Sequence, residues 1–199
     1  MKTTPSPRLP VQTLNPTLWR TCRVLAGANR IKLLRQVHDH PGQHVAALAK
    51  AAGIGRPYAS QEMRRIQSRG LLRPVKRGIA VVYSPIPDPQ VPTAAPLLKA
   101  IRAALESRPA ERDADMARIA AGLAHERRIA LARSLMQRPK TQAQLLAECP
   151  MAPCSLQLHL RTLAKAGFVA TRGRVLSFQT PDHPLGQALA KLLRQGVAR

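Results

Sequence analysis

Apolar positions between residues 46 and 66 recur every three to four residues, break once, and resume, which predicts two helices joined by a tight turn. Ala46 to Ala52 makes the first helix. Gly53-Ile54-Gly55 makes the turn, where glycine supplies the left-handed angles that a close helix-helix connection needs. Pro57 suits the first turn of the second helix, because its missing backbone donor would be unsatisfied there anyway, and Gly70 suits the residue just past its end. Alternation then replaces the helical period, so Leu71 to Val75 and Ile79 to Tyr83 read as strands around Lys76-Arg77-Gly78. Upstream, Leu18, Trp19, Cys22 and Leu25 mark one amphipathic helix, with Trp19 read as a core or dimer-contact aromatic. Ile31, Leu34 and Val37 mark the next, with Asn29 as its cap. Downstream, Ser84 to Ala95 is too rich in proline for a helix or central strand and reads as a linker or exit segment. Pro96 to Ser107 follows as an apolar helix carrying Leu97, Leu98, Ile101 and Leu105.

The same pattern returns almost a hundred residues later. Arg128-Ile129 with Leu131 repeats Arg30-Ile31 with Leu33, and Leu145 repeats Leu48. Leu156, Leu160 and Leu163 repeat Ala59, Met63 and Ile66, and Gly167-Phe168-Val169 repeats Gly70-Leu71-Leu72. A second ribbon, Val169 to Thr171 with Val175 to Phe178, surrounds Arg172-Gly173-Arg174. Pro184-Leu185 with Ala188-Leu189 then matches Pro96-Leu97 with Ala100-Ile101. Two copies of one unit in a single chain is the simplest account, giving an arm over residues 1 to 13 and units over 14 to 92 and 93 to 199.

The helix after Pro57 has two unlike faces. Ala59, Met63 and Ile66 should pack inward. Tyr58, Gln61, Arg64, Arg65 and Ser68 centre on the opposite side, with Arg56 and Arg69 at the two ends. A duplex major groove accepts such a helix: Arg bonds two acceptors on guanine, Gln does the same on adenine, and Ser or Tyr holds phosphates. Arg73, Lys76 and Arg77 on the ribbon are placed for backbone phosphates. In the second unit Arg64 is kept as Arg161 and Ser68 becomes Lys165, while Gln61 becomes Leu158, Arg65 becomes Thr162 and Tyr58 becomes Ser155. That face hydrogen-bonds less well. Leu158 suits a thymine methyl or another protein, and Arg161, Lys165, Arg172 and Arg174 remain as phosphate contacts. Pro150, Pro153, Cys149 and Cys154 are expected to disturb the second turn, the cysteines reading as small buried side chains.

Taken together, these pieces resemble a winged helix-turn-helix domain of the ArsR type, present twice. The resemblance rests on Ala28-Asn29-Arg30-Ile31-Lys32-Leu33-Leu34, on Leu48-Ala49 with Gly53-Ile54, on Pro57-Tyr58-Ala59-Ser60-Gln61 and on Gly70-Leu71-Leu72 leading to Tyr83. It implies a mostly α fold with small β-hairpin wings, arranged as two tandem winged helix-turn-helix domains. It also implies a recognition helix over 57 to 69, adds Ser60 to the DNA-facing set, and makes dimerisation a role for the helix after the wing, which in this chain could instead bridge to the second half. A homodimer and an intramolecular pseudo-dimer both satisfy it. The Cys-x-Cys metal motif of metal-sensing relatives is absent, and His38, His40 and His44 around Pro41-Gly42 read as solvated turn residues.

Charge narrows the choice of partner. The 199 residues carry 32 Lys plus Arg against 10 Asp plus Glu, a formal +22, so a polyanion is the natural partner. Residues 1 to 92 hold 15 basic and 3 acidic residues, and the remainder 17 and 7, so both halves share the excess. A membrane-surface protein would concentrate it in one basic amphipathic helix. Glu106, Glu111, Asp113 and Asp115 form the one acidic patch, expected to face away from DNA. Aromatic residues make up only 3% of the chain, too few for the stacking platforms of single-stranded RNA readers. Three cysteines and the absence of a secretory pattern suit a reducing cytoplasm, with association to the nucleoid. No nucleophile-base pair or paired carboxylates stand out, and no cofactor or metal is expected. The expectation is a sequence-specific double-stranded DNA-binding transcriptional regulator rather than an enzyme. The alternatives are a nonspecific architectural DNA-binding protein of nucleoid or plasmid-maintenance type and a winged-helix interaction scaffold.

Overall fold

The computed structural model describes residues 17 to 78 and 80 to 196; the arm expected over residues 1 to 13 lies outside them. Elements follow the order α1 (Leu18–Leu25), α2 (Ala28–Asp39), α3 (Val45–Ala51), α4 (Arg56–Gln67), β1 (Arg73–Arg77), β2 (Ala80–Ser84) and α5 (Ala94–Ser107). After a short 3-10 turn at Ala110–Arg112 come α6 (Asp113–Gly122), α7 (Glu126–Gln137), β3 (Lys140–Thr141), α8 (Gln142–Glu148), α9 (Pro153–Lys165), β4 (Val169–Arg172), β5 (Val175–Phe178) and α10 (Pro184–Arg194). The fold is mostly helical with small antiparallel hairpins, as the hydrophobic period predicts. Helix, helix, helix, helix, hairpin, helix therefore occurs twice. The sequence repeat is also a repeat of burial: Ile31, Leu33, Leu48, Ala59, Met63, Ile66 and Leu71 are buried, and so are Ile129, Leu131, Leu145, Leu156, Leu160, Leu163 and Phe168.

Several boundaries differ from the sequence expectation. Leu71 and Leu72 are buried core residues below the hairpin, so β1 begins at Arg73 and takes in Lys76 and Arg77, which were expected at its tip. Asn29 lies inside α2, whose cap is Gly27. Residues 84 to 95 are not a free linker, because the Asp88 N–H bonds the Gly70 carbonyl at 2.9 Å and Val91 is 4% exposed. Gly70 has φ +71°, and a Cβ there would come within 2.9 Å of Val91, so both backbone and space demand glycine. The second helix-turn-helix is less disturbed than expected. Cys149 to Ala152 spans the same four residues as Ala52 to Gly55, although only the first turn uses a positive φ, at Gly53. Lys140–Thr141 adds a third strand beside β5, whereas in the first run His44 makes only an isolated bridge to Val82.

Corresponding helices of the two runs pack on each other: α1 against α6, and α5 along α10. One continuous apolar core results, containing Leu18, Cys22 and Leu25 of α1, Leu97, Ile101 and Leu105 of α5, Met116 and Ile119 of α6, and Leu185, Leu189, Leu192 and Leu193 of α10. Each such side chain contributes roughly 1.5–3 kcal/mol by leaving water. Burial pushes the Cys22 thiol up to about 12, so it behaves as a small apolar group. A polar clamp closes the same seam. Arg35 on α2 makes a two-pronged bond to Asp113 in the first turn of α6, Nε to Oδ2 at 2.6 Å and Nη2 to Oδ1 at 2.7 Å. The same guanidinium donates to the carbonyls of Leu105 and Arg108 at the end of α5, which have lost their helical partners. Three acids of the expected acidic patch take different partners, while Glu111 stays exposed in the groove it shares with Asp113 and Arg35. Asp113 belongs to Arg35, Asp115 belongs to Arg112 and Arg118, and Glu106 lies 3.6 Å from the His38 ring.

Because the core is continuous, Ile101→Ala should cost about 2–5 kcal/mol, and calorimetry should still show one transition; two separated transitions would refute a shared core. His183, which caps α10, is 4% exposed, and burial followed by nearby Arg108 lowers its pKa to about 4. The folded state therefore prefers the neutral ring. Stability from this group is complete above an unfolded pKa of about 6.5 and is lost as pH falls toward 4. His183→Asn keeps a cap and should flatten the acid limb of a chemical-denaturation series.

Candidate nucleic-acid interface

The face of α4 away from the core is assembled by the α3-turn-α4 hairpin. Ala59, Met63 and Ile66 are fully buried and fix the helix by one side. On the other, Arg56, Tyr58, Gln61, Arg64 and Ser68 are exposed. Tyr58 is 43% exposed, an unusual amount for a large apolar ring. Ser60 is half-buried, and its hydroxyl donates to the Arg56 carbonyl at 3.0 Å, while the Ser68 hydroxyl donates to the Arg65 carbonyl at 2.8 Å. Both hydroxyl oxygens keep lone pairs for another partner.

Two arginines assigned to this face are not equally free. Arg65 donates to the carboxylate of Glu62 at 2.5 Å, although its side chain is 57% exposed. Glu62 is fully buried and also accepts from Arg30. Arg30 itself reaches the carbonyls of Val24 and Arg23 at the end of α1, so one buried carboxylate ties α1, α2 and α4 to the guanidinium of Arg65. Arg69 is half-buried, and among the described residues its Nε has no partner. Burial first, then the charge of Arg20, lowers its pKa. It sits under the helix end rather than on the open face. The whole of β1 is exposed, so Arg73, Lys76 and Arg77 stand on the outer strand of a ribbon that β2 anchors through buried Val82 and Tyr83, with Lys76 opposite Val81 and Arg77 opposite Ala80. The Arg77 guanidinium folds back toward the turn at Gly42, where a Cβ would come 3.1 Å from its Nη1.

The second run offers a different surface. Arg161, Lys165, Arg172 and Arg174 are exposed, and Leu158 is 62% exposed. Arg161 and Lys165 border a groove of about 660 Å³ between α6 and α9, floored by Ala114, Ala117 and Ala121. The Thr162 hydroxyl donates to the Leu158 carbonyl. Cys149 is half-buried, and Cys154 is exposed, because it opens α9 on the side away from Leu156; neither is the buried thiol expected. The position corresponding to Glu62 is His159, buried against His125 with ring centroids 4.9 Å apart. Arg128, the counterpart of Arg30, donates to the carbonyls of Gly122 and Ala121 and so repeats the helix-end contact, with no carboxylate partner among the described residues. Desolvation lowers the His159 pKa, with His125, Arg128 and Arg127 adding to it, so the ring stays neutral.

Sequence patterning missed Glu62, since one acidic residue in a basic helix reads as a surface residue; its only signal was the lack of any other acid between Asp39 and Asp88. Around Pro41-Gly42 the His38 ring lies 2.8 Å from the Asp39 carboxylate, and His40 and His44 are exposed. Among the described residues no helix is long and apolar enough to cross a membrane. Comparison with family models, with curated proteins and with solved structures found no match, so any reading of this face rests on its own geometry.

Glu62→Gln should cost about 3 kcal/mol, because it leaves the Arg30 guanidinium without its charge partner while preserving shape. Chemical denaturation measures this, and a loss within error of zero would show that the carboxylate does not hold α4 in place.

Proposed function

We propose that the chain is a sequence-specific double-stranded DNA-binding transcriptional regulator built from two tandem winged helix-turn-helix units of ArsR type. The observation that carries the proposal is the face of α4: Arg56, Tyr58, Gln61 and Arg64 exposed together on a helix whose other side is fully buried, beside a projecting basic ribbon. Arg64 and Gln61 have the donors and acceptors that read guanine and adenine edges. Arg73, Lys76 and Arg77 supply phosphate contacts. In this reading the α1-α6 and α5-α10 contacts make the chain its own pseudo-dimer, presenting two helices to successive grooves as paired regulators do.

The two units are unequal in this role. Arg64 is free on the outward face of α4, whereas α9 offers Arg161 beside an exposed Leu158. The first unit is therefore the base reader, and the second adds backbone contacts through Arg161, Lys165, Arg172 and Arg174. Leu158 also favours the interaction-scaffold reading, since a leucine this exposed suits a protein partner as well as a thymine methyl. The formal +22 favours the architectural reading, because charge alone binds any duplex.

Competition of genomic duplex fragments against excess random duplex across a salt series separates these readings. A regulator retains one fragment class with a preference of about a thousandfold or more. Arg64→Ala should then cost about 1–3 kcal/mol of specific binding, and Arg161→Ala should mainly reduce the salt slope. Equal competition by all duplexes, with affinity collapsing in salt, would replace the regulator by an architectural protein.

A further inference from the structure

A second polar site lies away from the outward face of α4. Between α6, the turn after α9 and the segment entering α10 is a cavity of about 300 Å³ whose wall carries Arg108, Arg112, Asp115, Arg118 and His183. His183 is 4% exposed, and its Nδ1 accepts the Leu185 N–H at 3.1 Å. A neutral imidazole that accepts at one nitrogen carries its proton on the other, so Nε2 is a donor. Among the described residues that Nε2 has no partner, and neither does the buried Nε of Arg108. Two buried donors on residues that line one cavity are thus left without a partner, a state that costs free energy until an acceptor reaches them.

Several acceptors nearby are already in use, while the Gln179 amide and the Asp182 carboxylate stand on the exposed side of the same wall. Asp115 takes Arg112 Nε at 2.7 Å and Arg118 Nη2 at 3.0 Å. The Asp182 carbonyl takes Arg108 Nη2 at 3.3 Å, and the Lys165 carbonyl takes Arg118 Nη1 at 2.7 Å. Three guanidinium groups and a neutral ring thus share the wall with two carboxylates, Asp115, which is already paired, and Asp182, which is exposed, so positive charge remains in excess. Water would satisfy a donor but would leave the excess charge. An oxyanion does both, through short charge-assisted bonds.

We propose that this cavity binds a small oxyanion of the phosphate or carboxylate class, with His183 Nε2 and Arg108 Nε as its buried donors and Arg112 and Arg118 as its charge partners. The site stands independently of the reading of α4, because none of its residues belongs to that face. Occupancy reaches α9 through Arg118, which also holds the last carbonyl of that helix and borders the groove shared with Arg161 and Lys165.

The test is calorimetric titration of the full chain with inorganic phosphate, sulfate and acetate at constant ionic strength. Saturable binding of phosphate or sulfate with a Kd near or below about 1 mM is expected. Arg112→Gln should weaken it about tenfold or more by removing a charge-assisted contact. That side chain is largely exposed, so the variant keeps its fold. His183→Asn should weaken it as well while retaining the cap, and Arg64→Ala should leave it unchanged. No saturable binding in a folded chain would overturn the proposal, as would equal binding by wild type and Arg112→Gln. Repeating the titration with saturating duplex identifies the source of the anion. Retained binding assigns the cavity to a free phosphorylated or carboxylate compound, and lost binding assigns it to a backbone phosphate. If the duplex does not bind at all, the reading of α4 fails while the anion titration still decides this site.

Discussion

The seam where α1 meets α6 and α5 meets α10 is the constraint on which the other features depend. Neither run of elements buries its terminal helices by itself, because the apolar sides of α5 and α10 are covered by each other. Burial is non-directional and sets only that these faces meet. Arg35 sets how they meet, since its planar fork fits the Asp113 carboxylate and two helix-end carbonyls in one geometry. The two helix-turn-helix hairpins are thus carried on one body, and the spacing between α4 and α9 is a property of a packed core rather than of a linker.

Electrostatics divides the arginines into two groups. Arg30, Arg35 and Arg128 are partly buried and spend their donors on helix-end carbonyls, carboxylates or both. Their charge contributes to the formal total without presenting a contact surface. Arg56, Arg64, Arg73, Arg161, Arg172 and Arg174 are exposed, and in the proposed reading they are the ones that meet a polyanion. Arg65 lies between the groups, exposed yet tethered to Glu62, so it enters any outward contact already oriented and partly neutralised.

The two runs also differ beneath their surfaces. Glu62 joins α4 to the body by ionic bonds, whereas His159 in the same place packs against His125 as a neutral ring. A buried ion pair is orientation-dependent and costly to break, while the tilted contact between the His159 and His125 rings fixes no hydrogen-bond geometry. Helix α4 is therefore held in one pose, and α9 is held more by apolar burial. This matches the outward faces, where hydrogen-bonding side chains occupy α4 and Leu158 stands out on α9.

Much of this protein was legible in the linear order of residues. The period of apolar positions marked the helices, glycines marked the turn and helix ends, and the recurrence of Arg-Ile, Gly-Leu and Gly-Phe steps showed that the pattern occurs twice. Such signals are local, because helical spacing and positive φ act over a few residues. The exposed set Arg56, Tyr58, Gln61 and Arg64 was legible for the same reason, since it lies opposite a buried stripe on one helix. What only the tertiary structure decided were pairings between distant residues: Arg30 with Glu62, Arg35 with Asp113, and Arg108 and His183 around one cavity. No spacing rule specifies those partners. Three of the four acids that read as a patch on the line take different basic partners, because the packed helices bring Arg35 beside Asp113, Arg112 and Arg118 beside Asp115, and the His38 ring near Glu106.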